Sequence, residues 1–158
     1  VIRKKTAALF AACAEAGARS AHSSDEMAKK AYLLGEMIGI SFQIKDDIFD
    51  YYPSTEIGKP TANDMREGKL TLPALYVLNN TNDEKIKNLA FRIRSLEATK
   101  EEIDGFIDYV KKNGGMEYAR TKMIEYRNKA LDLLPPQTSL PLREALAAYI
   151  DYVIERKK

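Results

Sequence analysis

Three carboxylates, Asp46, Asp47 and Asp50, stand inside the otherwise mostly apolar and aromatic run FQIKDDIFDYY of a 158-residue chain. An ionised carboxylate in an apolar setting is costly unless something pairs with it, so a cation is expected nearby. On a helix Asp46 and Asp50 lie one turn apart on one face, with Asp47 rotated by about 100° beside them. Carboxylates so placed can each give an oxygen to Mg²⁺, which takes only one or two of them and completes its shell with water and phosphate oxygens. The alternative is an acidic surface patch partly neutralised by the adjacent Lys45.

Positive charge follows in the next segment. Lys59 sits between Gly58 and Pro60, Lys69 follows Gly68, and Arg66 lies between them. A lysine held by Gly and Pro can be aimed at a phosphate oxygen, although such a turn on its own reads as a solvated loop. Lys4, Lys5 and Thr6 pose the same choice between a ligand contact and a polar first turn. With one histidine, His22, and one cysteine, Cys13, the chain offers no zinc site and no Ser–His or Cys–His nucleophile. His22 reads as a surface turn residue and Cys13, in an alanine-rich stretch, as a packed free thiol.

The elements that must position these groups read as all-α, because apolar residues recur at helical spacing and no stretch alternates with period two. A first helix is expected over Val1–Ala18. Ser23-x-x-Glu26 is a capping-box pattern opening a long second helix that carries the carboxylates and ends at Pro53. Gly35 and Gly39 on it mark close packing against a neighbouring helix. Residues 53–70 form a loop with one short helical turn. Pro73 opens a helix over LPALYVLNN, Asn82 or Asp83 opens another to Leu96, and Thr99-x-x-Glu102 caps one that stops at Gly114-Gly115. Two more helices follow, separated by Pro135-Pro136.

Composition narrows the class. Lys and Arg number 25 against 23 Asp and Glu, a net charge of +2, too balanced to argue for nucleic acid. No apolar run approaches a membrane span and no signal-peptide pattern is present, so a cytoplasmic protein is expected. The chain opens without Met, already inside a helical pattern, and reads as one incomplete helical domain over residues 1–158.

GEMIGISFQIKDDIFDYY, followed by GKPTANDMREGKLTLPALYVL, closely resembles the second aspartate-rich region of the trans-prenyl (polyprenyl) diphosphate synthases. Lys5-Thr6, NGGMEYARTKMIEYRNKALDLLP and the last helix fit as well, so the likeness runs through nearly the whole chain. The resemblance implies the C-terminal half of an isoprenoid-synthase helical bundle. It implies Mg²⁺-dependent head-to-tail condensation of isopentenyl diphosphate with an allylic diphosphate. Asp46, Asp47 and Asp50 would hold metal, and Lys5 and Lys59 would contact the allylic diphosphate. Thr6 and Gln43 would lie near the reacting carbons, with Phe42 against the homoallylic substrate.

The sequence departs from that family in having no other DDxxD, and the helices expected before Val1 are missing. The chain alone is therefore expected to be inactive, one wall of a two-motif site, working as a homodimer or with the missing N-terminal half. The alternative is a non-catalytic homologue serving as partner subunit to a complete synthase.

Overall fold

The structure is a computed structural model and describes residues 6–52 and 62–155. Among the described residues there are helices and turns but no strand. They are α1 (Ala8–Ser20), α2 (Asp25–Phe49), α3 (Asn63–Arg66), α4 (Leu72–Asn80), α5 (Glu84–Arg94), α6 (Lys100–Lys112), α7 (Gly115–Asp132) and α8 (Leu140–Glu155). The chain forms two compact units, one from Val1–Lys45 with Lys122–Lys157 and the other from Asp46–Thr121. Both α2 and α7 run from one unit into the other.

In the first unit α1 lies against α2 at backbone distance. A Cβ on Gly35 would stand 2.4 Å from the Phe10 carbonyl oxygen, and one on Gly39 would stand 2.6 Å from the Ala7 Cα. Only glycine permits that approach. Ile38, Ala130 and Ile150 form a buried cluster, with Phe10, Leu34, Met37 and Leu131 packed on it. Ser41, fully buried, donates from Oγ to the Met123 carbonyl at 2.9 Å. Arg127 of α7 binds both carboxylate oxygens of Asp151 on α8 at 2.7 Å. That pairing holds the Asp151 carboxyl below the usual carboxylate range.

In the second unit α6 buries Ile103, Phe106, Ile107 and Val110, a stripe at i, i+3, i+4 and i+7 that gives one apolar face. It packs on α5 and α4, while α3 packs on α5. Burying a side chain the size of Phe106 contributes roughly 2–3 kcal/mol. Thr99 and Glu102 form the expected capping box, and Asp83 caps α5 by accepting from the Lys85 N–H at 2.9 Å.

Three expectations need correction. The cap of α2 is Ser24, whose Oγ accepts from the Met27 N–H at 3.3 Å. The helix starts at Asp25, so the residue before it takes the cap, and the Ser23 hydroxyl turns to the Ser24 carbonyl instead. Described α1 begins at Ala8, with Thr6 and Ala7 in a wider π-type turn, and reaches Ser20; its first five expected residues lie outside the described residues. Cys13 is exposed rather than packed, because the α1 face meeting α2 is the one that carries Ala7 and Ala11. His22 is exposed in its turn, with φ of 56°.

Candidate active site at the end of helix α2

Helix α2 carries Phe42, Gln43, Asp46 and Asp47 of the sequence-predicted site residues, and Asp50 directly follows its last residue. Thr6 donates from Oγ1 to Gln43 Oε1 at 2.6 Å, across the partly buried surface between the start of α1 and α2. The Phe42 ring packs on Phe10, centroids 5.3 Å apart at 42°. Thr6, Phe42 and Gln43 belong to the first unit, and Asp46, Asp47 and Asp50 to the second. Lys5 and Lys59 lie outside the described residues.

The three carboxylates differ in surroundings. Asp47 is buried, with 3% of its surface exposed, whereas Asp46 and Asp50 are half-buried. Asp50 accepts the Asn63 N–H on Oδ1 at 3.0 Å and the Asp64 N–H on Oδ2 at 3.1 Å. Its own carbonyl accepts the Ala62 N–H at 2.9 Å. The signal for this return contact is absent from local sequence, since it joins residues 12 to 14 positions apart through backbone groups every sequence possesses.

Tyr51, next in the chain, is 2% exposed. Its hydroxyl lies near Thr71 and Ala74 but reaches no partner in hydrogen-bonding geometry. Burial pushes its pKa well above the usual tyrosine value, with the charges of Asp47 and Asp50 adding to the effect. Tyr52 is exposed and held by Arg120, which donates to its hydroxyl at 3.3 Å, and by Lys111, whose Nζ stands 5.0 Å over its ring.

The cations after the motif serve different ends. Lys69 pairs with Glu67 in an exposed contact, of the kind worth little in water. Gly68 is required there by its φ of 72° and by its approach to the end of α5, where a Cβ would meet the Arg94 carbonyl oxygen at 2.9 Å. Arg66 lines an open groove of about 590 Å³ with Met65, Ile93, Leu96 and Lys100.

Carboxylate oxygens are hard donors that suit Mg²⁺. Among the described residues no three acidic, histidine or cysteine side chains converge on one point. Mg²⁺ needs only one or two carboxylates and can finish its shell with water or phosphate oxygen.

The sequence profile of the polyprenyl synthetase family matches residues 1–110. A heptaprenyl diphosphate synthase component 2 from Geobacillus stearothermophilus is 37% identical over 156 residues, covering 94% of this chain and 47% of that protein. The crystal structure of a geranylgeranyl pyrophosphate synthase from Bacteroides thetaiotaomicron superposes with a TM-score of 0.92 at 55% identity, over 98% of this chain and 51% of that one. A polyprenyl synthase from Caulobacter crescentus CB15, solved with calcium and isoprenyl diphosphate, gives a TM-score of 0.85 at 31% identity, over 99% and 48%. The chain belongs to the polyprenyl synthetase family and has its all-α isoprenoid-synthase fold. It corresponds to the C-terminal half of those synthases and spans about half the length of the curated relatives it matches.

Proposed function

We propose that this chain supplies one wall of the active site of a cytoplasmic prenyltransferase that condenses isopentenyl diphosphate with an allylic diphosphate. The observation that carries the reading is the acidic end of α2, where Asp46, Asp47 and Asp50 stand in a chain of this family. A relative solved with calcium and isoprenyl diphosphate supports a divalent cation and a diphosphate as the ligands in this reading. In this reading the chain is part of a single helical domain and works as a homodimer or together with the other half of a synthase.

Bound at the acidic end of α2, magnesium would supply positive charge that stabilises the diphosphate as its C–O bond breaks and an allylic cation forms. Lys5 and Lys59 would add charge from the protein to the same diphosphate. The Thr6 hydroxyl holds the Gln43 amide in one orientation, and the pair would face the reacting carbons. Phe42, fixed by Phe10, would pack against isopentenyl diphosphate. That substrate attacks the cation and loses a proton to the departing diphosphate. Apolar surroundings would keep water from the cation.

Because the sequence holds a single aspartate-rich motif, the isolated 158 residues should turn over no substrate. Calorimetric titration of a non-hydrolysable allylic diphosphate analogue tests the wall itself. Heat that requires both Mg²⁺ and Asp46, and vanishes in Asp46→Ala, is the expected result; binding indifferent to both sinks the reading. A second reading, a non-catalytic partner subunit, is favoured by the relative whose name makes it one component of a synthase. Full activity on mixing with a complete synthase carrying its own two motifs, unchanged by Asp46→Ala, would select it.

A further inference from the structure

The chain leaves α2 at Asp50 and returns to it at Ala62, where the N–H groups of three successive residues all donate to Asp50. The carbonyl takes the Ala62 N–H, Oδ1 takes the Asn63 N–H and Oδ2 takes the Asp64 N–H. Ala62 is fully buried and has φ of 65°. That is the left-handed region, which a residue with a Cβ avoids. Such a backbone persists only where its surroundings over-determine it. Three consecutive N–H groups gathered by one residue provide that restraint. Met65, 3% exposed, then anchors the following turn among the apolar side chains of this unit.

We propose that Asp50 is the positioning member of the acidic triad: its carboxylate clamps the strained turn at residues 62–64 onto the end of α2, and a cation at this end is held without it. The proposal rests on the reading that the acidic end of α2 binds a divalent cation. Its physical basis is that both Asp50 oxygens already accept a backbone N–H, which fixes the plane of the carboxylate and draws on its charge. Mg²⁺ needs only one or two carboxylates. The spacing that makes the three aspartates look equivalent in sequence thus conceals a division of labour.

NMR on the 158-residue chain reads both duties at once. Amide exchange at Asn63 and Asp64 reports the clamp, and Mn²⁺ titration followed by line broadening reports the cation. An asparagine offers one acceptor oxygen where the aspartate offers two. Asp50→Asn is therefore expected to speed exchange at Asn63 or Asp64 by about tenfold with Mn²⁺ affinity within about twofold of wild type, while global unfolding is monitored in the same samples. Asp46→Asn should do the reverse, lowering Mn²⁺ affinity by about tenfold or more and leaving both amides protected. In the wild type, saturating Mg²⁺ should leave those amides protected, whereas a cation ligated by Asp50 would pull its oxygens away from them. Unchanged exchange in Asp50→Asn, or a loss of Mn²⁺ affinity matching that of Asp46→Asn, overturns the proposal. If Mn²⁺ binds neither wild type nor variants, the cation reading fails on its own, and the amide exchange still decides whether Asp50 is the clamp.

Discussion

Helix α2 is secured in two unlike ways along its length. From Gly35 to Ser41 it is held by contact: glycines let α1 come to backbone distance, and Ile38, Ile40 and Ser41 are buried. From Asp46 to Tyr51 it is held by polar groups in an apolar setting: a buried aspartate, a carboxylate taken up by backbone N–H groups and a buried tyrosine hydroxyl. Close packing tolerates no added atom, whereas at the polar end the effect of a change depends on whether the group it removes has a hydrogen-bond partner. The first stretch spends its sequence on fit, and the second accepts poorly solvated polar groups where the family's chemistry is expected.

The largest effect should come from breaking the contact. Gly35→Ala places a methyl 2.4 Å from the Phe10 carbonyl oxygen and 2.8 Å from its carbon, backbone atoms that move only if α1 moves. A loss of about 3 kcal/mol is expected by urea denaturation; a loss below about 0.5 kcal/mol would mean that this interface is slack.

At the polar end, Asp50→Asn keeps the shape and removes one charged acceptor. The expected loss is about 2 kcal/mol, smaller than for Gly35→Ala because the packing stays in place. Equal losses for the two variants would erase the contrast drawn between the two stretches.

The Arg127–Asp151 pair provides a polar contact within the contact-held unit. Its bidentate geometry is good, but its side chains are 26% and 34% exposed, so Asp151→Asn should cost about 1 kcal/mol at neutral pH. The Asp151 pKa is depressed in the folded state, first by the hydrogen bond from Arg127. Its contribution is therefore present above the unfolded carboxyl pKa near 4 and is lost as pH falls through the folded value. Melting curves of wild type and Asp151→Asn should converge at acid pH.

The smallest effect sharpens the comparison from the other side. Tyr51→Phe removes a buried hydroxyl that reaches no partner and should raise stability by up to about 1 kcal/mol. Because burial raises the Tyr51 pKa, the folded state keeps the phenol neutral while the unfolded state ionises near pH 10. Wild-type stability should therefore fall as pH rises above that point. The gap to Tyr51→Phe should widen there in a denaturation series.

Much of this was legible in local chemistry. Pro73 at the start of α4 carries no N–H to leave unpaired there, and Asp83 before α5 and the Thr99–Glu102 box satisfy helix-end N–H groups a few positions away. The acidic run and the segment after it carried the family likeness that the comparisons uphold. Less legible were contacts whose partners are remote in sequence. Gly35 and Gly39 marked close packing without naming Phe10, Ala11 and Ala7 as what they approach. Cys13 looked packed because its neighbours are alanines, but the α1 register turns Ala7 and Ala11 toward α2 and leaves the thiol exposed.

The sequence by itself determined the helices, the caps of α5 and α6 and the placing of Asp46 and Asp47 on α2 with Asp50 just past its end, because spacing along a helix fixes which face a residue occupies. Only the tertiary structure decided what each carboxylate does. Burial of Asp47 and the capture of Asp50 by the amides of residues 63 and 64 depend on where the chain returns after α2, and a returning backbone offers the same N–H groups whatever its side chains.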